Sequence, residues 1–585
     1  MPIHLKRRIP NPDLDLPDTL HPLISRIYSQ RPIESAEELQ LGLKNLLAPD
    51  LFSGMEQAVE LLVDCLARQK KILIVSDFDA DGATSCALAI NALTWFGARH
   101  VEYIVPNRFD YGYGLTPEIV ELAKVLEPHL IITVDNGISS IEGVRSAKQA
   151  GIQVLVTDHH LPADQLPVAD TIVNPNQGGC AFPSKCIAGV GVIFYVMLAL
   201  RSRLRELNWF TEQGLEEPHM ANLLDLVALG TVADVVALDR NNRILVDEGL
   251  KRIRVGRTRP GILALLEVAK RKAQRLTASD LAFSVGPRLN AAGRLDDMST
   301  GIECLLADRA GSAYELALQL DAMNQDRKLI EADMQDQAIH ILDELVLEED
   351  NLPPALCLFD RRWHQGVVGI LASRIKDRFH RPVIAFAEVT EAGSDSQLLK
   401  GSARSIKGFH IRDALDAVAS HHPGVLSKFG GHAMAAGLSV EKSRLDQFRQ
   451  AFEAEAARLL SDDQLTATLL SDGQLEAHWL SMETAAELAA AGPWGQEFAE
   501  PLFDGRFNLL QQRRVGEKHL KMVLSPVESP QQVVDAIAFN VAPAQWPEED
   551  TAVIEIGYRM DINEFRGKQS LQLMVEQILV PGTLN

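Results

Sequence analysis

Three short segments in the first half of the chain combine carboxylates with glycine, asparagine or histidine. They are 77–82 (DFDADG), 135–137 (DNG) and 158–160 (DHH). Carboxylates that pack together repel one another, so a cluster of them takes up protons unless cations compensate the charge. Oxygen-rich ligands with one imidazole suit Mg²⁺ or Mn²⁺, whereas zinc prefers more nitrogen or sulfur. Two such ions about 4 Å apart activate water for attack on phosphorus, and these segments carry enough ligands for two ions.

The elements that precede these segments are predicted to bring them together. Apolar, β-branched runs without alternation lie at 72–75, 130–134 and 154–157, and such runs indicate buried strands of a parallel sheet. The carboxyl ends of parallel strands open onto one crevice, so the acidic segments converge there although they are far apart in the sequence. The fold class predicted for this part of the chain is α/β with a parallel sheet.

The acidic segments differ in how specific they are. A single DxD after a strand is a weak signal, because it also fits a helix cap or the nucleophile loop of haloacid-dehalogenase phosphatases. Three consecutive strands that end in acids, one of them followed by two histidines, are hard to explain as separate caps. Asp234 ends the segment 230–234 (GTVAD), and on the residues alone it is best explained as a helix terminus.

A long helix and a change of pattern divide the rest of the chain. Ser312 and Glu315 fit a capping box, and neither glycine nor proline occurs from there to Leu352, which predicts one helix that bridges two domains. A second α/β unit and a small C-terminal β-barrel follow. The predicted divisions are an N-terminal extension (1–60), a catalytic domain (61–310), the connecting helix (311–350), a substrate-binding domain (351–460) and the barrel (465–585).

Composition excludes several classes of protein. Hydrophobic residues make up 46% of the 585 residues and charged residues 23%, which excludes a disordered chain and a membrane bundle. The longest apolar run, 186–200, is too short for the about 20 residues that cross a bilayer. We expect no secretory signal, because no apolar stretch follows the basic residues near the N-terminus. The six cysteines lack the spacing of a zinc site or a disulfide framework. We expect a cytoplasmic protein.

The charge balance limits the kind of polyanion that the protein can bind. With 57 basic and 79 acidic residues the formal net charge is -22, which argues against indiscriminate adhesion to nucleic acid. Basic residues nevertheless crowd the windows 251–275 and 400–412. Each window is most simply a solvated surface, but together they permit a local channel for a polyanion.

The acidic segments, taken with 230–234, match in order and spacing the four motifs of the DHH phosphoesterase superfamily. The segment 286–294 (GPRLNAAGR) is expected to be a glycine-rich loop. Together with 363–369 (WHQGVVG) and 429–433 (FGGHA) it further resembles the RecJ family of bacterial single-stranded-DNA-specific exonucleases. The resemblance spans nearly the whole chain. Ala403 is a departure, because the family usually has glycine there, and we expect slightly altered phosphate contacts.

The resemblance implies roles for the acidic segments. Asp135 corresponds to a ligand that bridges two metal ions, and Asp77 is an additional acid in the first loop. Asp158 is expected to orient a metal-bound imidazole, and His160 to face the scissile phosphate as a cation; its alternative is a buried histidine with ordinary partners. The metal ligands implied by the resemblance are Asp79, Asp81, Asp135, His159 and Asp234.

The resemblance also implies a set of substrate contacts. Glycine lets the backbone approach a phosphate closely, and arginine grips it with two hydrogen bonds. Without the family, Gly430 and Gly431 are equally well explained by a tight turn, and Trp363 and His364 by either core packing or a stacking surface. The C-terminal barrel resembles an OB-fold, a frequent platform for single strands. The implied contacts are Arg288, Asn290, Arg294, Trp363, His364, Ser402, Arg404, Gly430, Gly431 and His432.

The function that the resemblance implies is a 5′-to-3′ exonuclease specific for single-stranded DNA. It would release nucleoside 5′-monophosphates by hydrolysis with two Mg²⁺ or Mn²⁺ ions, in DNA repair and recombination. The expected partners are single-stranded DNA, a single-stranded-DNA-binding protein and a helicase, the expected state is a monomer, and a cleft too narrow for duplex is expected between the two lobes.

Two alternatives remain on the sequence alone. The first is a DHH-family phosphodiesterase that acts on cyclic dinucleotides, very short RNAs or pyrophosphate; the barrel and the basic windows favour a longer substrate. The second is a single-strand-binding scaffold with a vestigial site. Retention of every acid in the loops argues against the scaffold, because it has no need for such costly charge repulsion.

Overall fold

The computed structural model describes residues 4–106, 113–163, 165–344, 352–388, 397–431, 433–461, 464–516, 519–539, 541, 547 and 552–579. Its strands are β1 (His4–Arg7), β2 (Ile72–Ser76), β3 (Val101–Ile104), β4 (Leu130–Val134), β5 (Gln153–Thr157), β6 (Thr171–Val173), β7 (Leu356–Phe359), β8 (Val383–Glu388), β9 (Leu398–Arg404), β10 (Lys428–Gly431), β11 (Ala435–Glu441), β12 (Thr468–Ser471), β13 (Phe503–Val515), β14 (His519–Pro526), β15 (Val534–Ala538), β16 (Val553–Phe565) and β17 (Lys568–Leu579).

α-Helices separate most of these strands, and short 3₁₀ turns lie in several loops. The helices are α1 (Pro22–Ser29), α2 (Met55–Ala67), α3 (Ala80–Trp95), α4 (Pro117–Lys124), α5 (Ile141–Gln149), α6 (Gly189–Glu206), α7 (Trp209–Gln213), α8 (Leu224–Ala233), α9 (Arg240–Arg254), α10 (Pro260–Val268), α11 (Ala278–Asp280), α12 (Gly286–Leu295), α13 (Ser299–Leu306), α14 (Ala310–Glu344), α15 (Val368–Phe379), α16 (Ile411–His421), α17 (Leu445–Leu459) and α18 (Met482–Ala490).

The chain folds into two compact units. The first, here called the parallel-sheet unit, comprises Pro10–Asn324 and Glu487–Glu500. The second, here called the barrel unit, contains Gln325–Ala486 together with the described residues of both chain ends, up to Ile9 and from Pro501. The division falls inside α14, and the domain boundaries given above stay predictions.

The parallel-sheet unit is built on five parallel strands in the order β3-β2-β4-β5-β6. The strands predicted at 72–75, 130–134 and 154–157 are confirmed as β2, β4 and β5, which are neighbours. Residues of β2 and β4 are completely buried, as continuous apolar runs covered on both faces should be. The acidic segments therefore leave the same edge of the sheet side by side.

The segment 286–294 was expected to be a glycine-rich loop, and that expectation is wrong. It forms α12, which continues from a π-helical turn at Leu281–Val285. Gly286 adopts an ordinary helical φ of -51°, and Pro287 follows it at the start of α12, directly after the π-helical turn. Glycine and proline here begin a helix rather than interrupt one.

The predicted long helix is confirmed as α14, with 35 residues. It begins at Ala310, so Ser312 lies inside the first turn, and its hydroxyl donates to the carbonyl of Arg309 instead of forming the expected capping box. The apolar run at 186–200 falls mainly in α6, which is buried along most of its length. Within the described residues, no helix has the length and apolar content that a bilayer span requires.

The barrel unit contains a mixed sheet and a barrel. The sheet has the order β10-β11-β9-β8-β7, in which only β7 and β8 run parallel. The barrel closes in the order β13-β14-β15-β17-β16, because β16 also pairs with β13, and the predicted C-terminal barrel is confirmed. The first strand, β1, pairs in parallel with β12 of this unit. The residues up to Ile9 therefore belong to the barrel unit, although the chain enters the parallel-sheet unit at Pro10.

Candidate active site

The first acidic segment joins β2 to α3. Asp79 is the N-cap of α3, and its Oδ1 accepts a hydrogen bond of 3.0 Å from the backbone N–H of Gly82. Asp81 lies in the first turn and accepts from the N–H groups of Gly189 (2.6 Å) and Val190 (2.9 Å), at the start of α6. The N-terminus of a second helix therefore holds Asp81 in place.

The second acidic segment forms a tight turn after β4. Asp135 has a φ of 63°, a left-handed conformation that aspartate tolerates better than most residues. Asn136 donates to the carbonyls of Val75 (3.1 Å) and Val134 (2.9 Å) and so ties the ends of β2 and β4 together. Gly137 has a φ of 110°, which strains any other residue, so the turn requires a glycine there.

The third acidic segment is organised by the carboxylate of Asp158. Its Oδ2 accepts from the N–H of Ile138 at 2.9 Å. Its Oδ1 accepts from the N–H of His159 (2.7 Å) and from Nδ1 of His160 (2.7 Å). Two side chains that sequence reasoning missed hold the same segment, since Asn176 donates to the carbonyl of His159 and Asn174 to that of His160.

These elements bring the acidic side chains into one cluster. Nε2 of His159 lies 3.1 Å from Oδ1 of Asp135 and 3.4 Å from Oδ2 of Asp234, at the C-terminus of α8. Three overlapping groups each place their ligand atoms within 4.8 Å of one another: Asp135, His159 and His160; Asp81, His159 and Asp234; and Asp77, Asp79 and Asp135. On the residues alone, Asp234 was best explained as a helix terminus. It is the C-cap of α8 and also a member of the acidic cluster.

Burial raises the pKa of four aspartates in this cluster, and neighbouring carboxylates raise it further. The pKa of Asp81 rises to about 7 and that of Asp234 to about 8. The pKa values of Asp77 and Asp135 lie well above the ordinary value. The cluster therefore needs added positive charge before all of its acids ionise at neutral pH.

The two histidines differ in pKa. Burial lowers the pKa of His159, and the neighbouring His160 lowers it further. Burial also disfavours the charged form of His160, but the hydrogen bond to Asp158 and the negative charges of Asp158, Asp77 and Asp234 together outweigh it and raise the pKa to about 9. Burial alone would raise the pKa of Asp158, but the same hydrogen bond and the charges of His160 and His159 together lower it below the usual value. At neutral pH His159 is a neutral imidazole and His160 a cation.

Two buried atoms of the cluster fit a cation. Among the described residues, neither Oδ1 of Asp135 nor Nε2 of His159 makes a hydrogen bond of acceptable geometry, although they are 3.1 Å apart. Leaving buried polar atoms without partners costs free energy, and a shared cation satisfies both. Several carboxylate oxygens with one imidazole nitrogen are the donor set that suits Mg²⁺ or Mn²⁺.

Tyr113 is a further member of the site, and sequence reasoning missed it. Its hydroxyl donates to the carbonyl of Asp135 at 3.2 Å and lies 3.3 Å from both ring nitrogens of His160. An oxygen atom in the plane of the imidazole ring and 3.3 Å from both nitrogens would overlap the ring carbon atoms. The hydroxyl oxygen of Tyr113 therefore lies over the face of the ring. Tyr113 therefore contacts the ends of two strands at once.

The expected substrate contacts of the parallel-sheet unit lie on α12. Oδ1 of Asn290 accepts from the N–H of Ala80 at 2.7 Å, so α12 contacts the first turn of α3 beside the acidic cluster. Arg288 is buried and pairs with Asp321 at 2.8 Å. Arg294 is half-buried on the same helix.

The other expected contacts belong to the barrel unit. The Ser402 hydroxyl accepts from the Arg404 guanidinium at 3.1 Å, and a Cβ at Gly369, the second residue of α15, would lie 3.0 Å from both side chains. Gly430 and Gly431 end β10. Ala403 is fully buried in the core on the opposite face, so its methyl group lies away from Ser402 and Arg404.

The remaining expected contacts are less suited to a substrate or lie outside the described residues. Trp363 is only 4% exposed, and its Nε1 donates to Gln337 at 3.1 Å. This burial supports the packing alternative for Trp363 rather than a stacking surface. His364 is exposed, and its Nδ1 accepts from the N–H of Gly366. His432 lies outside the described residues.

Three parts of the sequence match known domain families. Residues 71–231 match the DHH family, N-terminal domain. Residues 353–458 match the DHHA1 domain, and residues 471–577 match the RecJ OB domain. The first match contains the acidic cluster up to Thr231, the second the mixed sheet and the third the barrel.

Similar proteins cover almost the whole chain. The single-stranded-DNA-specific exonuclease RecJ of Dickeya dadantii is 55% identical over 98% of both chains, and that of Escherichia coli is 54% identical over 98% of this chain and 99% of its own. A crystal structure of RecJ from Thermus thermophilus in complex with Mn²⁺ has a TM-score of 0.77 and 29% identity, over 96% of this chain and 76% of that one. With this similarity along its length, the chain belongs to the RecJ family of single-stranded-DNA-specific exonucleases.

Proposed function

We propose that the protein hydrolyses single-stranded DNA from the 5′ end and releases nucleoside 5′-monophosphates with the aid of two divalent cations. The convergence of three strand-end carboxylate segments and Asp234 on His159 carries this proposal. The relatives named above support the class of substrate. DNA repair and recombination are the processes in which the family works.

The proposed metal ligands are five of the seven members of the overlapping groups. His159 and Asp135 each belong to two groups, so Asp135 is well placed between two ions and His159 beside it. Two Mg²⁺ or Mn²⁺ ions, when bound, supply charge compensation and activation of water for attack on phosphorus. The proposed ligands are Asp79, Asp81, Asp135, His159 and Asp234.

The other residues of the cluster act on the substrate and on the ligands. Asp158 was expected to orient a metal-bound imidazole, but its carboxylate contacts the ring of His160 and only the backbone N–H of His159. We therefore propose that Asp158 orients His160 and keeps it charged, and that His160 stabilises negative charge on the scissile phosphate. The N–H groups of Phe78 and Gly82 fix the carboxylates of Asp77 and Asp79. This leaves Asp77 as an acid whose charge adjusts the affinity of the cluster for cations.

Substrate contacts are proposed within each unit. In the barrel unit Ser402, Arg404 and the backbone of Gly430 and Gly431 are suited to a phosphate, and His432 is included by family resemblance. In the parallel-sheet unit Arg294 and Asn290 are retained, because α12 lies against the first turn of α3. Arg288 and Trp363 are assigned to supporting the fold.

A hydrolysis experiment tests the proposal. End-labelled single-stranded and duplex oligonucleotides are incubated with Mg²⁺, Mn²⁺ or chelator, and products are followed by length and labelled end. We expect degradation of the single strand from the 5′ end, with metal only. Asp135→Asn should abolish it, while Glu212→Gln, an exposed residue of α7, should not. Hydrolysis of only dinucleotides or cyclic dinucleotides would favour the other DHH phosphodiesterases, and activity in Asp135→Asn would show that the site is wrong.

The cellular setting is proposed at the same level. We place the protein in the cytoplasm as a monomer that works with a helicase and a single-stranded-DNA-binding protein, on the basis of the family. Light scattering of the purified protein tests the monomer. Stimulation of hydrolysis by each added protein tests the partners.

A further inference from the structure

One face of the mixed sheet carries polar residues in register across β9, β11 and β10. Strand pairing places these residues side by side, because residues opposite each other on paired strands point to the same face. Two neighbouring rows cross the three strands: Lys400, Ser439 and Lys428 in the first, and Ser402, Gly437 and Gly430 in the second.

The opposite face of this sheet is the core of the unit. Phe386, Ala403 and Leu438 point to that face and pack with residues of α16 and α17. On the polar face α15 approaches Ser402, through Gly369. Beyond that helix the polar rows are open, and both lysines and both glycines in them are exposed.

The polar face is positively charged. Among the described residues, no salt bridge includes Lys400 or Lys428, and the Arg404 guanidinium is one row beyond Ser402. The acid nearest in register on this face is Glu441, and it pairs with Arg444 at 3.4 Å. Unpaired lysines beside an arginine make this face suited to an anion.

The glycines of the second row are not required by the fold. An added Cβ at Gly430 or Gly437 would meet no atom within 4 Å, and neither residue has a left-handed φ. Glycine also weakens a strand relative to residues with side chains. Glycine inside a strand with no steric reason for it marks a place where a ligand approaches the backbone closely.

We propose that these rows bind a second phosphate of single-stranded DNA, next to the phosphate assigned to Ser402 and Arg404. Lys400 and Lys428 neutralise this second phosphate, and Gly437 lets the sugar-phosphate backbone lie against the sheet. Two residues along a strand span about 7 Å, which is comparable with the separation of successive phosphates in an extended single strand. The inference rests on the proposed function and adds a subsite to it.

The first test measures binding of a 5′-phosphorylated single-stranded oligonucleotide in chelator, where no hydrolysis occurs. The double variant Lys400→Gln/Lys428→Gln should bind roughly tenfold more weakly, and the slope of log affinity against log salt should fall by about 0.7. The double variant Arg449→Gln/Arg458→Gln is the control, because it removes two charges from α17, which packs on the core side of the sheet. An unchanged slope and affinity in the double lysine variant would overturn the subsite.

Neutral phosphate analogues identify which phosphate is bound. A methylphosphonate, which removes the charge of one phosphate, is placed at successive positions from the 5′ end. The wild type should lose affinity at two neighbouring positions near that end, one for each assigned phosphate, and the double lysine variant should lose affinity at only one of them. Equal losses in both proteins at every position would contradict the assignment. If the wild type degrades single strands normally and the losses are equal, only the proposed subsite is overturned. If the wild type does not degrade single strands, the proposed function is overturned as well.

A second variant tests the glycine row independently of charge. Gly437→Val adds a β-branched side chain that the strand accommodates, so the melting temperature should not fall. Binding of the same oligonucleotide should weaken about fivefold or more, because the side chain occupies the place of the DNA backbone. Wild-type affinity in a correctly folded Gly437→Val protein would show that no ligand approaches there.

Discussion

The hydroxyl group of Tyr113 joins the ends of two strands without being a metal ligand. It donates to the carbonyl of Asp135, a residue in the left-handed conformation, and it lies over the ring of His160. A left-handed φ costs free energy in a residue with a side chain, and such strain persists only where neighbouring contacts enforce it. The hydrogen bond from Tyr113 is one of those contacts.

Tyr113→Phe removes this hydroxyl and keeps the ring. We expect kcat with Mn²⁺ to fall about threefold to tenfold, because this factor corresponds to the net free energy of one hydrogen bond. The KM for single-stranded DNA should change little. Steady-state kinetics on a labelled oligonucleotide measure both. Tyr103→Phe is the matched control. Tyr103 lies on the edge strand β3, and its hydroxyl donates a hydrogen bond of 2.5 Å to Glu303. Equal effects of the two variants on kcat would refute the positioning role of Tyr113.

The raised pKa values of Asp81 and Asp234 predict how cation affinity depends on pH. Both acids keep their protons in the metal-free folded protein until about pH 7 and 8, so metal-free stability decreases as pH rises from about 4 towards 8. Cation binding must displace those protons. The Mn²⁺ affinity should therefore rise at least tenfold from about pH 6 to about pH 8, and the gain in melting temperature with Mn²⁺ should grow in parallel.

Calorimetry at several pH values checks this linkage. Protons should be released on Mn²⁺ binding below about pH 8, and the release should fall in Asp81→Asn. An Mn²⁺ affinity independent of pH across this range would contradict the burial of ionisable acids at the site.

At the scale of elements, the start of α6 holds the acidic cluster together. Its first two N–H groups bind Asp81. A Cβ on Gly189 would lie 2.5 Å from Oδ1 of Asp135, so only glycine lets the helix approach this closely.

Gly189→Ala should therefore displace Asp135 or the helix. We expect the Mn²⁺ dissociation constant to rise at least tenfold, measured by calorimetry, with hydrolysis reduced in proportion. Gly311→Ala in the first turn of α14 is the control, because a Cβ there meets nothing within 4 Å and alanine should stabilise the helix by about 0.5–1 kcal/mol. If both variants bind Mn²⁺ like the wild type, the approach of α6 does not matter to the site.

The sequence predicts elements best where one physical signal dominates. Continuous β-branched runs are sufficient for β2, β4 and β5, because no other element buries both faces of so short a segment. The absence of glycine and proline is sufficient for α14. The segment 286–294 misled the prediction, since glycine and proline are common both in loops and in the first turn of a helix.

The parts of the site that the sequence does not predict depend on contacts between distant residues. Gly189 matters because it meets Asp135 in space, and Tyr113 because its hydroxyl reaches His160; neither relation leaves a local pattern. Trp363 is similar, since only its burial decides between packing and stacking. Residue types and strand order predict the acidic cluster, and packing supplies the groups that hold it.

At the scale of the whole molecule, the first strand of the chain belongs to the unit that contains its last strands. β1 pairs with β12, and Arg7 forms hydrogen bonds with both carboxylate oxygens of Asp504, whose side chain is fully buried in β13. Arg8 lies 3.4 Å from the buried Asp472. The N-terminal segment thus supplies charges that two buried acids of the barrel unit require.

Arg7→Ala should destabilise the barrel unit by about 2 kcal/mol or more, because the buried Asp504 loses its charged partner. Arg506→Ala, which removes an arginine that is 60% exposed and 3.4 Å from Glu555, should cost less than about 1 kcal/mol, as exposed ion pairs do. Denaturant unfolding followed by hydrogen exchange separates the barrel strands from the parallel sheet. Since the acidic cluster lies in the other unit, Mn²⁺ affinity should be unchanged in Arg7→Ala. Equal stability of the two variants would mean that the buried Asp504 does not depend on Arg7 for its stability. A loss of Mn²⁺ affinity in Arg7→Ala would mean that the change in the barrel unit also affects the acidic cluster.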